Sequence, residues 1–185
     1  MRLHREGRLR GWLGRRFGGD AELGERIWRR CLHVLGAGVL VYYIVPPGFF
    51  RVVPNPVALL LALLMVLLLD ALRLRGHVEL PTIRPFERSR LASFAYFAIG
   101  LVLAVLLFPE AIAVAVVLGT ALVDPLIGEL RLSESARRAY PSVPLLAYGA
   151  IAFGAFLGVG GWSWEASALA AGAAAALAVG VERLR

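Results

Sequence analysis

The stretch Pro54–Leu72 reads PNPVALLLALLMVLLLDAL, in which the thirteen residues between the second proline and Asp70 are all uncharged. A helix needs about 20 mostly apolar residues to cross roughly 30 Å of hydrocarbon. This stretch meets that requirement, and so does Leu91–Phe108. The whole chain is 59% hydrophobic with a mean hydropathy of +0.72. These values place it among integral membrane proteins rather than soluble domains.

Six apolar stretches follow one another along the chain, separated by proline, glycine or charged residues. The sequence therefore predicts an all-α fold, a polytopic membrane bundle of six transmembrane helices in one domain over residues 25–185. The predicted spans are 32–45, 54–72, 91–108, 111–127, 143–159 and 166–181.

Arginine gives this bundle an orientation. All 20 basic residues are arginine, and 19 of them fall in segments on one side if the six spans alternate; only Arg51 falls on the other side. Cytoplasmic loops carry the excess of positive charge. Both termini are therefore expected in the cytoplasm and the protein in the cell membrane. The net charge of +7 is explained by this orientation signal, so a nucleic-acid polymer is not an expected partner.

Residues 1–24 are interpreted as a basic surface segment that precedes the membrane domain. Apolar side chains recur there at helical spacing among six arginines, which is typical of a helix lying in the headgroup region. The glycines at positions 7, 11, 14, 18 and 19 of the same segment favour a disordered tail equally well.

Asp124 is the strongest candidate for a functional residue because ionisable groups within spans are energetically expensive. Thr120, Asp124 and Gly128 lie four residues apart and so share one helical face. Pro125 follows directly and predicts a kink or break of the helix at Asp124. A carboxylate beside backbone carbonyl groups that have lost their helical hydrogen bonds is a favourable site for binding a cation. The alternative is a structural ion pair between Asp124 and an arginine such as Arg131.

Further ionisable residues fall on the same predicted side. His33 lies three residues after Arg30 at the cytoplasmic end of the first span. The two side chains could bind phosphate or activate a hydroxyl group. The alternative is that they only anchor the end of the helix at the membrane surface. Asp70 ends the second span and either joins the site or pairs with Arg73 at i, i+3. The remaining members of this group are Arg84, Glu87, Arg88, Glu129 and Arg131.

Four segments resemble the dolichol kinase and phytol kinase family, whose distant relatives are the phosphatidate cytidylyltransferases. They are Arg29–Gly36 (RRCLHVLG), Leu69–Arg73 (LDALR), Arg84–Arg90 (RPFERSR) and Leu118–Gly128 (LGTALVDPLIG). Val123 stands where the family motif has glycine, and no Lys-Ser or Glu-Gly segment follows the fourth span.

The resemblance implies a CTP-dependent transfer of phosphate to an isoprenoid alcohol at the cytoplasmic face. It implies Mg²⁺ as cofactor, held by Asp124 with Asp70 or Glu129, and His33 or a carboxylate as the group that takes the proton from the lipid hydroxyl. Phosphate and nucleotide contacts are expected from a set of five residues, Arg30, Arg84, Glu87, Arg88 and Arg131.

Two other functions stay open from the sequence. The departures from the family motif favour a non-catalytic membrane subunit or lipid-binding scaffold. The glycines and short outer loops are also compatible with a small transporter, although transporter sites lie near the midplane with access from both faces. Glycines in the fifth span, such as Gly154, suit close helix packing within one chain or in a homo-oligomer.

Overall fold

The computed structural model describes residues 21–46, 53–78, 80, 83, 87–132 and 138–183. Most of the predicted surface segment 1–24 lies outside these residues. Within the described part, helix begins at Ala21, eleven residues before the predicted start of the first span.

The described residues are mostly helical and include no strand, so the all-α prediction is confirmed for them. The first element, α1, runs as an α-helix over Ala21–Gly36, tightens into a 3₁₀ segment at Ala37–Leu40 and ends in the short helix Val41–Ile44. The later helices are α2 (Asn55–Leu74), α3 (Ser93–Leu107), α4 (Glu110–Leu132), α5 (Ser142–Gly158) and α6 (Trp164–Arg183).

Each predicted span overlaps one of these helices. Three helical stretches are long and apolar enough to cross a membrane, namely Asn55–Leu74, Glu110–Arg131 and Trp164–Glu182. The apolar stretches of α1, α3 and α5 are shorter. At 1.5 Å per residue, the 15 residues of α3 extend about 22 Å.

Contacts between the ends of neighbouring helices gather the described arginines at one end of the bundle. Asn55, at the start of α2, donates from Nδ2 to the carbonyl oxygen of Val45 at 3.0 Å, so α1 ends where α2 begins. Arg30 of α1 pairs with Glu129 near the end of α4, which places the start of α1 beside the end of α4. Every described arginine position lies at this end, called here the arginine-rich end.

Helix α4 is the centre of the bundle because it packs against α1, α3 and α5. On one side, Ala115 and Ile127 join a core cluster with α5 and α6. On another side, Ala113 and Val117 pack with residues of α3 and α1. Small side chains such as alanine let neighbouring helices approach closely, which explains why α4 accommodates partners on several faces.

Helix α2 lies at the edge of the bundle and leaves a leucine-rich face uncovered. Leu61, Leu64 and Met65 are about half exposed or more, and only 11% of its apolar window is buried. Soluble monomers rarely expose a continuous apolar surface of this kind. The face is suited to contact with lipid chains.

The closest approach between α4 and α5 occurs at Gly119. A Cβ added there would lie 2.7 Å from Cζ of Tyr148 and still closer to Cε2, so the aromatic ring rests directly on the glycine. Tyr148 is 9% exposed and has little room to move away.

We predict that Gly119→Ala lowers the melting temperature in detergent, because overpacking a filled core costs about 1–3 kcal/mol and exceeds the roughly 1 kcal/mol that alanine gains in helix propensity. Gly100→Ala is the matched control, since no atom lies within 4 Å of its added Cβ. That variant should melt at or above the wild-type temperature. A stable Gly119→Ala protein would contradict the packing of Tyr148 on Gly119.

Candidate functional site

A buried guanidinium organises the arginine-rich end. Arg73, in the last turn of α2, is 8% exposed. Its Nε donates to Oδ1 of Asp70 at 2.6 Å. Its Nη1 donates to the carbonyl oxygen of Glu87 at 2.9 Å and its Nη2 to that of Arg90 at 2.8 Å. Through these hydrogen bonds, the planar guanidinium group of Arg73 connects the end of α2 to the segment that leads into α3.

Two buried carboxylates complete this network at the start of α3. Oδ2 of Asp70 accepts a hydrogen bond from the backbone N–H of Ala92 at 3.2 Å. Oε1 of Glu87 accepts from the backbone N–H of Ser93 at 3.1 Å and also from the Ser93 hydroxyl. The first N–H groups of a helix lack intrahelical partners and carry a partial positive charge. Asp70 and Glu87 therefore cap α3 from outside the helix.

These contacts give Asp70 a structural role. Both of its oxygens accept hydrogen bonds, and the residue is 1% exposed. The i, i+3 pair with Arg73, which the sequence left as an alternative, is confirmed. The predicted metal role of Asp70 does not fit this geometry, because a cation would have to displace the guanidinium or the Ala92 amide. Glu87, which was predicted to contact phosphate or nucleotide, also has a structural contact, because its carboxylate accepts hydrogen bonds at the start of α3.

A second ion pair lies nearer the surface. The Arg30 guanidinium contacts the Glu129 carboxylate and joins α1 to α4. Glu129 was predicted as a metal ligand and Arg30 as a phosphate ligand. In the structure the two side chains neutralise each other across the helix interface, at a partly exposed position where such pairs contribute little to stability.

His33 lies one turn further along α1, where α1 meets α3. Its ring centroid is 4.8 Å from that of Phe97, with the planes tilted by 36°. Gly36 allows this approach, because a Cβ there would lie 2.5 Å from Cε1 of Phe97. The half-buried imidazole thus packs on an aromatic ring, and its predicted role as a proton acceptor stays a prediction.

The predicted helix break at Asp124 is wrong. Helix α4 continues without interruption over Glu110–Leu132 with Pro125 inside it. The buried side chains Val123 and Ile127, on both sides of the proline, belong to a core cluster with residues of α5, which supports the continuous helix. A kink at this position stays a prediction. A proline removes one hydrogen bond, but neighbouring helices can support a continuous helix through it.

Thr120 and Gly128, two of the three residues on the predicted face, have different surroundings in the structure. The Thr120 hydroxyl donates to the carbonyl oxygens of Val116 at 2.8 Å and Val117 at 3.1 Å, within its own helix. Gly128 is exposed, with no atom within 4 Å of an added Cβ. The predicted packing role of Gly128 and the helix-breaking role of Pro125 are therefore both corrected.

Asp124 itself is exposed near the arginine-rich end. It lies seven residues after Val117 and eleven after Ala113, and therefore continues the helical face that these two residues bury against α3. Its carboxylate also interacts electrostatically with Tyr148 of α5. Asp124 is exposed on the surface of α4, whereas Asp70 is buried.

Arg131 joins the ends of three helices. Its Nη1 donates to Oε1 of Glu182 in α6 at 2.8 Å, and its Nη2 donates to the Tyr140 hydroxyl at 3.2 Å. Arg131 therefore contacts α6 and Tyr140, and the predicted alternative of an Asp124–Arg131 pair stays a prediction. Arg88 is exposed in the turn before α3, and Arg84 lies outside the described residues.

Two of the predicted Mg²⁺ ligands are engaged in ion pairs. Asp70 pairs with Arg73 and Glu129 pairs with Arg30, on different helices. Within the described ranges, no three histidine, cysteine or acidic side chains are placed to hold a metal ion. Mg²⁺ as a cofactor stays a prediction.

An apolar cavity of about 510 Å³ lies between α1, α2 and α3. It extends along α2 from Asn55 to Val66, about 17 Å at 1.5 Å per residue, and so occupies the half of the bundle away from the arginine-rich end. None of its lining residues is charged, and only Tyr42 and Asn55 bring polar side-chain atoms. The other residues are Leu35, Gly36, Gly38, Val39, Val41, Val45, Ala58, Leu59, Ala62, Leu63, Val66, Ala98, Leu101 and Val102.

Comparison of the chain with protein-family models, with curated proteins and with solved structures finds no match. The similarity to polyprenol kinases therefore rests on the four sequence segments alone. Function has to be inferred from the geometry of the described residues.

Sequence patterns missed two residues of this geometry. Arg73 was recognised only as a possible partner of Asp70, because nothing local indicates that its Nη atoms bind carbonyl groups 14 and 17 residues away. Asn55, which lies between two prolines, had no predicted role. A polar residue at the start of an otherwise apolar helix was the available signal.

We predict that Arg73→Met destabilises the protein by about 3–5 kcal/mol, because it leaves the buried Asp70 carboxylate without its cation. Thermal unfolding in detergent measures the effect. Arg75→Met is the control: Arg75 is two residues further along and exposed, so its removal should leave the melting temperature unchanged.

The double variant Asp70→Asn/Arg73→Met should recover part of the loss, since the amide still accepts from Ala92 and carries no charge. Equal melting temperatures for Arg73→Met and Arg75→Met would show that the network contributes nothing to stability.

Proposed function

We propose that this chain is a six-span membrane protein with both termini in the cytoplasm, and that it binds the apolar chain of a lipid in the cavity between α1, α2 and α3. This is the lipid-binding scaffold that the sequence left open as an alternative. The single observation that carries the proposal is the uncharged cavity of about 510 Å³.

The membrane part of the proposal is supported by the surface of α2 and by the distribution of charge. A leucine-rich face such as that of Leu60 and Leu64 is unfavourable in water but neutral against lipid tails. The arginine-rich end would then face the cytoplasm and its anionic headgroups. The shorter helices α3 and α5 would be accommodated inside the bundle beside the longer α4.

The cavity has the size and chemistry that a lipid chain requires. Small-molecule sites occupy roughly 300–1,000 Å³ and are mostly apolar. An apolar cavity does not hold water well, because water needs two or more polar partners. Each buried methylene group contributes about 0.8 kcal/mol, and a lipid chain is the apolar molecule most abundant around these helices.

We predict that filling the cavity reduces lipid binding. Ala58 and Ala62 line the cavity, and Ala58→Leu/Ala62→Leu adds six carbon atoms to its wall. The protein in phosphatidylcholine nanodiscs should be photolabelled by a diazirine-bearing monoacylglycerol within α1 and α2. The double variant should lose most of that labelling.

Ala150→Leu is the matched control, because Ala150 is exposed on α5 and does not line the cavity. This variant should be labelled like the wild type. Labelling confined to the outer leucine face of α2, and unaffected by the double substitution, would contradict a lipid site in the cavity.

The polyprenol kinase hypothesis remains a second candidate, supported by one observation. Asp124 is an exposed carboxylate near the arginine-rich end. On this hypothesis, that end faces the cytoplasm and is reached by both a soluble nucleotide and a lipid head group. In this proposal CTP and an isoprenoid alcohol are the substrates. Asp124 would contact either the phosphate group that is transferred or the cation that accompanies it.

On this hypothesis, purified protein transfers label from γ-labelled CTP to a polyprenol, and Asp124→Asn reduces that transfer at least tenfold while the melting temperature stays unchanged. Glu165→Gln is the control, because Glu165 is an exposed acid at the other end of the bundle. Absence of transfer by wild-type protein, with magnesium and lipid supplied, would remove the hypothesis.

A further inference from the structure

The outer part of α1 forms one wall of the cavity and contains no buried residue. The α-helix ends at Gly36, the 3₁₀ segment follows over Ala37–Leu40, and the short helix Val41–Ile44 completes the element. None of the residues from 37 to 44 is buried, and Ile44 is 77% exposed. Several of their side chains pack, only partly buried, against the outside of a core cluster of α3 and α4. This wall is therefore loosely held along its length.

The 3₁₀ segment interrupts α1 beside the cavity. A 3₁₀ stretch within an α-helix has poorer hydrogen-bond geometry and often marks a hinge. Gly38 lies in this stretch and lines the cavity, and no atom lies within 4 Å of a Cβ added to it. Its backbone therefore has both the freedom of a glycine and open space beside it.

Two side-chain hydrogen bonds fasten the end of α1 beyond this segment. The Tyr43 hydroxyl donates to the carbonyl oxygen of Val105 in α3 at 3.2 Å. That carbonyl lacks a helical donor, because the residue four positions later is Pro109, which has no N–H. Nδ2 of Asn55 in α2 donates to the carbonyl oxygen of Val45 at 3.0 Å. The end of α1 is therefore connected to both of the other walls of the cavity.

We propose that residues 41–45, called here the strap, close the cavity, and that a lipid chain enters when the strap turns about the 3₁₀ segment and releases these two hydrogen bonds. The proposal rests on the function proposed above and adds the route by which the lipid reaches its site. Among the described residues, α2 packs against α3 but not closely against α1. The opening therefore lies between α1 and α2, on the side that faces lipid.

The two hydrogen bonds are of a kind that can be exchanged. Both accept at carbonyl groups close to helix ends, where intrahelical donors are missing, in the half of the bundle away from the arginines. Water or a lipid hydroxyl at the membrane surface donates to such groups nearly as well as a side chain does. Opening then separates mainly the partly buried rings of Tyr42 and Tyr43 from the core cluster.

The test measures the rates at which a lipid enters and leaves the cavity in phosphatidylcholine nanodiscs. A diazirine-bearing monoacylglycerol is added, or is chased with excess unlabelled monoacylglycerol, and photolabelling of the cavity walls in α1 and α2 is followed with time. Tyr43→Phe should raise both rates about two- to tenfold, the effect of losing one net hydrogen bond that holds the strap closed, and leave the equilibrium occupancy unchanged. Asn55→Leu should act in the same way, and the double variant should be faster than either.

Tyr96→Phe is the matched control, because Tyr96 is exposed on α3 and does not line the cavity. Its rates should equal those of the wild type. Gly38→Ala tests the hinge in the opposite direction. The added methyl group meets no neighbouring atom but restricts the backbone, so both rates should fall about two- to fivefold.

Equal rates in Tyr43→Phe and Tyr96→Phe overturn the strap. Faster departure without faster entry overturns it as well, because Tyr43 then contributes only to affinity. Unchanged rates in Gly38→Ala overturn the hinge. If Asn55→Leu fails to fold, Tyr43→Phe decides, since it keeps the ring and removes only the hydroxyl. Absence of cavity labelling in wild-type protein shows instead that the proposed function itself is wrong.

Discussion

The structure depends on one buried cation. Arg73 sits where α2 ends, and its guanidinium satisfies a carboxylate and two backbone carbonyl groups at once. Asp70, held by this contact, caps the start of α3 at Ala92. A buried charge is tolerated only when it is paired and its donors are used. The position of α3 against α4, and with it one wall of the cavity, follows from the network that fixes where α3 begins.

The bundle therefore has two chemically different halves. At the arginine-rich end, the buried acids Asp70 and Glu87 are engaged in capping and pairing, and Arg30 and Arg131 connect helices. In the other half, a cavity without charged side chains lies open between α1, α2 and α3. This division favours binding of a lipid chain as the function, because the acids that were expected to act on phosphate mostly hold the fold together.

The sequence predicted the helices well because long apolar stretches bounded by proline and charge define them, as in α2. It failed where tertiary contacts decide. Pro125 predicted a break, but packing of Val123 and Ile127 keeps α4 continuous. Acids that share a predicted side of the membrane need not meet, since pairing depends on which helices are neighbours. The cavity was not predictable either, because each of its walls is an ordinary apolar helix face.

Hydrogen exchange at the start of α3 tests the central network most directly. The first amides of a helix ordinarily exchange rapidly because they have no intrahelical partner. Here the amides of Ala92 and Ser93 donate to Asp70 and Glu87, so both should be protected to a level similar to that of the α3 interior. Exchange at these two amides at the rate of an unstructured peptide would contradict the network on which the structure depends.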